Sequence, residues 1–327
     1  MSNRPTGMTP LTSGLLVLGE TTPCAIYDAQ GKLLLPQGSE IRSQRQIDTL
    51  VRTGYFTCPT ELFTTTAANS LASSQKAPDL LKDYADQLAF FFTLISIDTP
   101  DAETLTGSLR QLVTRIQKWV NQNPGELLSS FSILDDQEYP VRHTLQMACL
   151  TELFMAHLGW PQNQRVSTLC AALTANLSMQ SYQHRLNQKK ARLPEHLRLA
   201  VEKHPLKTWN LLKQAGITDP LWLDAVVQHH ERLDGSGYPA GLSGEAIHTE
   251  GRLLAITEVF SALISPKSYQ PAISAEEALR VVKTQQEQQL DARLSQVFIQ
   301  CLAPQARALS RPDTDDLSES GYAETRH

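Results

Sequence analysis

The sequence predicts a mainly α protein in which a small α+β module precedes a helical bundle. Three observations support this prediction. Apolar residues recur every three to four positions from about Asp79 to about residue 308, which is the period of amphipathic helices. Short apolar runs bounded by turn residues are confined to residues 15–60. A polar stretch separates the two regions, and 327 residues are enough for two domains.

Composition divides the chain into five segments. The stretch TTTAANSLASSQKAP is poor in large apolar residues, which predicts a linker. The polar final stretch SRPDTDDLSESGYAETRH predicts a disordered tail. We therefore expect an α+β module at 1–63, a linker at 64–78, a helical connector at 79–134, a helical domain at 135–308 and a tail at 309–327.

The N-terminal module shows strand, turn and cap signals in order. Cys24–Tyr27 and Lys32–Leu35 are short apolar runs separated by Asp-Ala-Gln-Gly, a turn sequence typical of a β-hairpin. Ser43 is a candidate N-cap for a helix that Gly54 ends. Tyr55–Cys58 then predicts a last strand. No residue of this module suggests catalysis.

Helices account for the rest of the chain. The strongest helical patterns cover residues 79–96, 101–122, 142–158, 163–177, 195–214, 220–231, 249–264 and 275–287. The most apolar stretch, Leu88–Ile97, is about half as long as the roughly 20 residues that a bilayer requires. It therefore predicts a buried helix end or a domain contact, and no membrane span.

Charge and cysteine usage narrow the class of protein. The formal net charge is −5, with 41% hydrophobic and 19% charged residues, which argues against a binder of nucleic acid polymers. The five cysteines are scattered and never spaced as C-x-x-C, as expected for free thiols in a reducing compartment. The N-terminus has no apolar core typical of a secretory signal. We expect a cytoplasmic protein.

One motif carries a family resemblance. Residues 228–239 read QHHERLDGSGYP and continue with AGLSG, which resembles the HH-E-r-x-DGSGYP-x-GL-x-G signature of the HD-GYP family. The resemblance covers roughly residues 135–305. The N-terminal YDAQGKLLLPQGSEI is similar, more weakly, to a small domain found upstream of HD-GYP domains. Other features in the family's order are His143 opening a helix, His204-Pro205, the helix led by Arg252 and the capped helix after Ser274.

The resemblance implies a helical HD-GYP-like bundle and cyclic di-GMP phosphodiesterase chemistry. Phosphodiester cleavage near neutral pH is helped by a metal-bound hydroxide, and two metals can clamp the attacking and leaving oxygens. Histidine and carboxylate side chains are suitable ligands for iron, manganese and similar ions. In the family an adjacent His-Asp pair is central, because its Asp bridges the two metals.

This chain departs from the family at that pair. Ala175 stands where the resemblance places the His, Asn176 where it places the bridging Asp, and Met179 where it places a Lys. Alanine has no lone pair for a metal, and Asn offers one neutral oxygen where a bridge needs an anionic group with two. We therefore assign no catalytic residue, and expect ordinary helix packing in this segment.

Five candidate metal ligands remain. They are His143, His204, His229, His230 and Glu258, the last of which replaces a family Asp and is one methylene longer. Neighbours on a helix diverge by about 100°, so His229 and His230 serve one site only at a helix end or by facing two sites. The set predicts one divalent transition metal, iron or manganese, bound weakly, or none. The alternative for each histidine is a packed or solvated residue without a metal.

The loop with the family signature is complete. Its residues are Asp234, Gly235, Gly237, Tyr238 and Pro239. The glycines permit a tight path, the proline stiffens it and the tyrosine is expected to present an exposed ring. The resemblance implies contact with a protein partner, such as a GGDEF-type cyclase. The alternative is a structural role in ordering its helix.

Two cations are candidates for binding the ligand's phosphates. Arg252 matches an arginine that the family has near the substrate, and Lys267 replaces the usual arginine of an R-P-Y stretch. Lysine binds phosphate as a point charge, without the bidentate fork of arginine. The alternative is that both are ordinary surface charges.

These observations lead to two hypotheses about function. The first is a degenerate HD-GYP protein of cyclic di-GMP signalling that binds nucleotide or protein partners without efficient hydrolysis. The second is a metal-dependent cyclic di-GMP phosphodiesterase with an unusual, mononuclear site. Cyclic di-GMP, a GGDEF-type cyclase or another signalling protein, and a second copy of the chain are the candidate partners.

Overall fold

The computed structural model describes residues 8–10, 16, 22, 25–36, 38–57, 77–97, 102–180, 194–267 and 271–310. The predicted linker at 64–78 and the predicted tail at 309–327 lie outside these ranges, except for residues 77–78 and 309–310. The five segment boundaries therefore stay predictions.

A four-stranded antiparallel sheet forms the N-terminal part, in the order β1-β4-β2-β3. Its strands are β1 (Met8–Pro10), β2 (Ile26–Tyr27), β3 (Leu33–Leu35) and β4 (Tyr55–Thr57). The predicted hairpin and last strand are confirmed, whereas β1 was not predicted. Proline is uncommon in strands, but β1 is an edge strand, where the missing N–H of Pro10 is tolerated.

Local side chains close the turn and start the helix of this part. The carboxylate of Asp28 accepts the backbone N–H groups of Gln30 and Lys32, both at 2.9 Å. Helix α1 (Gln44–Thr53) begins after Ser43, whose side chain accepts the N–H of Gln46, which confirms the predicted N-cap. These contacts involve only near neighbours, which is why the sequence shows them.

The remaining helices follow the predicted periodicity closely. They are α2 (Ala77–Ile97), α3 (Ala102–Gln122), the short α4 (Leu127–Ser130), α5 (Tyr139–His157), α6 (Gln162–Thr174), α7 (Glu195–Gln214), α8 (Pro220–Gln228), α9 (Thr249–Ile264), α10 (Ala275–Gln285) and α11 (Ala292–Leu309). The mainly α fold class is confirmed. None of the described helices is both long and apolar enough to cross a bilayer.

Helix α5 lies at the centre of the bundle. Every residue from Val141 to Met155 is buried, and α5 packs against α3, α6 and α9. The rings of Phe154, Phe260 and Phe298 meet edge to face where α5, α9 and α11 come together. The polar side chains of a helix that is buried on all sides need hydrogen-bond partners within the protein. His143 on α5 is one of these buried polar side chains.

Candidate metal centre

Three histidines converge at one end of the bundle. His204 comes from α7, and His229 and His230 follow directly after α8, which ends at Gln228 rather than at the predicted residue 231. One ring nitrogen from each lies within 4.8 Å of the others. The helix end lets adjacent residues face one site, as the sequence analysis required for a shared metal. Three of the five candidate ligands thus form one group, called here the three-histidine group.

The backbone carbonyls beside His204 and His229 determine which ring nitrogen of each histidine carries its proton. His204 Nδ1 lies 2.6 Å from the carbonyl oxygen of Val201, and His229 Nδ1 lies 2.7 Å from that of Val226. A carbonyl oxygen only accepts, so each Nδ1 carries a proton. In a neutral ring the Nε2 atom then presents its lone pair.

The two Nε2 atoms lie 3.3 Å apart. Two lone pairs at this distance repel unless a cation lies between them. Nitrogens bound to one tetrahedral metal at about 2.0–2.1 Å are separated by about 3.3 Å. The geometry of His204 and His229 therefore fits one metal ion.

Burial keeps these imidazoles uncharged. It lowers the pKa of His204 to about 3, with a further contribution from neighbouring His229. Burial also lowers the pKa of His229, an effect that Glu258 partly offsets. Neutral imidazole is the form that binds metals, so the three-histidine group is ready to bind a cation without first losing protons.

The other two candidate ligands bind each other. His143 Nε2 lies 3.1 and 3.0 Å from the two carboxylate oxygens of Glu258 on α9. The amide of Asn176 donates to the same carboxylate at 3.1 Å. Because carboxylate oxygens accept, His143 Nε2 carries the proton in this arrangement, and its role as a metal ligand stays a prediction.

Glu258 is ionised in these surroundings. Burial alone would raise the pKa of this carboxyl, but the charge and hydrogen bond of His143 hold the pKa of Glu258 well below its usual range. Tyr139 stacks on His143 with ring centres 5.3 Å apart. Glu258, His143 and Asn176 thus form a second group, the carboxylate group, beside the three histidines.

Two further residues of the segment around Asn176, Ala175 and Met179, are packed in the interior. Ala175 is buried as the C-cap residue of α6, as the sequence analysis expected. Met179 is buried against Leu197 and Val201 of α7. An apolar contact therefore occupies the place where the family resemblance puts a lysine.

The signature loop folds back on the histidine pair. The Glu231 carboxylate accepts the backbone N–H groups of Ala240 at 2.7 Å and Leu242 at 2.9 Å. Gly235 has φ +78°, whereas Gly237 is needed for close approach: a Cβ there would lie 2.4–2.6 Å from the backbone of residues 231 and 232. This role of Glu231 was not predicted from the sequence, although its place directly after the histidine pair was a usable signal.

The position of the Tyr238 ring differs from the one expected from the sequence. The ring is half-buried and stacks on His230 with centres 4.7 Å apart, so the prediction of an exposed ring is wrong. The loop turns the ring inward because the N–H of Tyr238 bonds the carbonyl of His230. Burial raises the pKa of this phenol, which therefore stays protonated. Asp234 and Ser236 are among the exposed residues of the loop, and the Asp234 carboxylate accepts from the Ser236 hydroxyl at 2.6 Å.

Arg252 is engaged in contacts within the protein. Its guanidinium donates to the carbonyl oxygens of Ile247 at 2.8 Å and Gly244 at 3.0 Å, and to the Asp291 carboxylate at 3.2 Å. All three nitrogens are engaged in holding α9 to the loop before it and to the start of α11. These contacts give Arg252 a structural role, and its contact with a substrate phosphate stays a prediction.

Lys267 lies beside the carboxylate group. Its Nζ is 5.4 Å from the centre of the Tyr139 ring, which in turn stacks on His143. Burial lowers the pKa of Lys267, and the charge of Glu258 opposes this effect. Of the two cations considered in the sequence, only Lys267 is close to the site.

Comparisons with known proteins agree with this architecture. The family model described as "HD domain" matches residues 130–294. A cyclic di-GMP phosphodiesterase of Pseudomonas aeruginosa is 27% identical over 175 residues, which are 54% of this chain and 42% of that protein. The cyclic di-GMP phosphodiesterase PdeB of Borreliella burgdorferi is 22% identical over 165 residues, 50% of this chain and 43% of that one.

A solved structure shows the same fold. An HDG"Y"P protein from Bdellovibrio bacteriovorus superposes with a TM-score of 0.60 at 14% identity, covering 90% of this chain and 99% of that one. The chain spans less than half the length of the curated relatives named above. The family match covers half of the chain and includes both groups of the site. The chain therefore belongs to the HD domain family.

Proposed function

We propose that this chain is a cyclic di-GMP signalling protein whose degenerate HD-GYP domain binds nucleotide or a protein partner without efficient hydrolysis. The observation that carries the proposal is the contact between Asn176 and Glu258. An amide N–H points at the carboxylate, at 3.1 Å, where the family resemblance implies a bridging Asp. The printed names of the relatives, cyclic di-GMP phosphodiesterases, support the class of ligand.

The carboxylate group is poorly suited to a second metal. A two-metal centre needs anionic oxygens facing both ions, so that an attacking hydroxide is held between them. Here the only carboxylate of the group is already shared by the imidazole N–H of His143 and the amide of Asn176. Those donors would have to leave before an ion could bind there, and Ala175 adds no ligand.

The three-histidine group supports the second candidate function, a cyclic di-GMP phosphodiesterase with one metal. The separation of 3.3 Å between His204 and His229 Nε2 suits a single ion, for which iron and manganese are the candidates. When bound, the ion would act as a Lewis acid toward a phosphoryl oxygen or a water. The protein residues would keep that position enclosed, since Tyr238 covers His230.

Binding of the nucleotide is assigned to Lys267. Its ammonium is half-buried beside Tyr139 and the carboxylate group, where a phosphate would bring a second negative charge to it. Arg252 is not included, because its donors are used within the protein. A protein partner such as a GGDEF-type cyclase, or a second copy of the chain, would meet the exposed atoms of Asp234 and Ser236 rather than the ring of Tyr238.

Metal analysis beside a hydrolysis assay tests the proposal. After anaerobic purification, elemental analysis should find fewer than two transition metal ions per chain. When the protein is incubated with cyclic di-GMP and manganese or ferrous iron, the rate of hydrolysis should not exceed the rate in buffer alone. Equilibrium dialysis should nevertheless detect binding of cyclic di-GMP to the protein. Two metals per chain together with turnover would contradict the proposal. One metal together with turnover would favour the second candidate.

Restoring the missing ligands tests the physical reason. Ala175→His with Asn176→Asp and Glu258→Asp should raise both metal content and hydrolysis. Neither Ala175→His nor Asn176→Asp alone should suffice, because ligands that act as a unit have non-additive effects. The single Asn176→Asp variant is the control, since it supplies the carboxylate without the histidine. Wild-type activity equal to that of the triple variant would contradict the degenerate assignment.

A further inference from the structure

The orientation of His204 depends on a backbone carbonyl inside its own helix. His204 Nδ1 donates to the carbonyl oxygen of Val201 at 2.6 Å. In a regular helix that carbonyl is the acceptor for the N–H of the residue four positions later. For Val201 this residue is Pro205, which lies within α7 and has no N–H.

We propose that Pro205 is a positioning residue: it leaves the Val201 carbonyl free to accept the proton of His204 Nδ1. This bond fixes the tautomer whose Nε2 lone pair faces His229. The proposal rests on the metal-binding role proposed for the three-histidine group. It goes beyond that role by assigning a function to a residue that cannot itself bind a metal.

His229 obtains the same kind of acceptor in a different way. Its Nδ1 donates to the Val226 carbonyl at 2.7 Å, and Val226 lies in the last turn of α8. Carbonyls in the last turn of a helix lack intrahelical donors. The two rings therefore use equivalent acceptors three residues back, one supplied by a helix end and the other by a proline.

A purely structural role for Pro205 makes a different prediction. Proline in a helix interior destabilises the helix, so its replacement by alanine should make α7 more stable. If Pro205 only fills space, its replacement should not change which ring nitrogen of His204 carries the proton. If Pro205 frees the Val201 carbonyl, a new N–H at position 205 competes with His204 for that carbonyl, and the fixed tautomer is lost.

Nitrogen NMR of the metal-free protein near pH 7.5 provides the first test. His204 should carry its proton on Nδ1 in the wild type, and as a mixture of tautomers in Pro205→Ala and Pro205→Val. The valine variant keeps a buried side chain of similar volume, so a cavity does not explain a shared effect. Pro304→Ala is the matched control, because Pro304 lies inside helix α11, away from the site, and its replacement is the same substitution.

Metal affinity and thermal stability provide the second test. Removing the hydrogen bond to the second ring nitrogen of a metal-binding histidine typically lowers metal affinity by about 10–100-fold. We expect a loss of that size for manganese in both Pro205 variants, with an unchanged or higher melting temperature, and no loss of affinity in Pro304→Ala. An unchanged His204 tautomer in both variants would overturn the proposal. If the wild type binds no metal, the proposed metal site fails, and the tautomer alone decides the role of Pro205.

Discussion

At the scale of single residues, His204 and His229 combine deep burial with a fixed proton position. Each is about 1% exposed, and each donates its Nδ1 proton to a backbone carbonyl. The unfolded chain exposes the same rings to water, where a histidine has a pKa of about 6.5. Folding therefore lowers their proton affinity, which ties the stability of the metal-free protein to pH.

We predict that the free energy of unfolding of metal-free protein falls as the pH is lowered from 7 to 5. Below about pH 6.5 the unfolded state binds protons that folded His204, with its pKa of about 3, does not. Each such histidine lowers the free energy of unfolding by about 1.4 kcal/mol for each pH unit below that point. Glu258, whose folded pKa is depressed, loses its contribution only at lower pH, so it does not mask this slope.

Urea unfolding at several pH values measures the slope. His204→Gln should reduce it, whereas His157→Gln should not, because His157 is exposed at the end of α5. Saturating manganese should raise stability at neutral pH if the three-histidine group binds the ion. A stability independent of pH between 7 and 5 would show that these rings are accessible to protons in the folded protein.

At the scale of elements, helix α10 begins with a complete capping box. The Ser274 hydroxyl accepts the N–H of Glu277 at 3.3 Å, and the Glu277 carboxylate accepts the N–H of Ser274 at 3.1 Å. The helix that follows packs on α9 and α11. Because α9 carries Glu258, the start of α10 supports the packing of a helix that forms the site.

We predict that Ser274→Ala lowers the free energy of unfolding by about 1 kcal/mol, because one N–H in the first turn of α10 loses its acceptor. Ser274→Asp should stay within a few tenths of a kcal/mol of the wild type, since aspartate caps equally well. Denaturant unfolding of the three proteins measures the difference. Equal losses in both variants would mean that the serine contributes through something other than its acceptor.

At the scale of the whole molecule, one buried charge joins three helices. Glu152 on α5 is fully buried, accepts from the amide of Gln117 on α3 at 3.1 Å and forms an ion pair with Arg165 on α6. Gln162 on α6 extends the network to Gln117. Apolar residues from α2 to α11 belong to a single buried cluster, so the predicted connector packs into the same core as the site.

We predict that Glu152→Ala lowers the free energy of unfolding by about 3–5 kcal/mol, because it leaves Arg165 largely buried without its partner. Glu202→Ala is the matched control: it removes a more exposed ion pair with Arg198 on α7 and should change stability by less than about 1 kcal/mol. Calorimetry measures both. A loss in Glu152→Ala no larger than in the control would mean that the network does not stabilise the bundle.

Much of the fold was accessible from the sequence because its causes are local. Helical periodicity, the N-caps at Ser43 and Ser274 and the Asp28 turn each involve residues a few positions apart, and all are observed. Strand β1 was missed because a three-residue edge strand has no periodicity of its own and depends on its partner β4. Helix α8 ends early for a similar reason, since the loop that returns to Glu231 requires a turn at the histidine pair.

By itself, the sequence determined the mainly α class and the motif of the histidine pair, whereas the replacement of a His-Asp pair by Ala175 and Asn176 stays a prediction from the family resemblance. Only the tertiary structure decided how the candidate residues are grouped. His204 meets His229 across 25 positions, and His143 meets Glu258 across 115. It also turned Tyr238 inward and engaged Arg252 with backbone carbonyls. Such separations are closed by packing of the helices, which patterns of neighbouring residues do not encode.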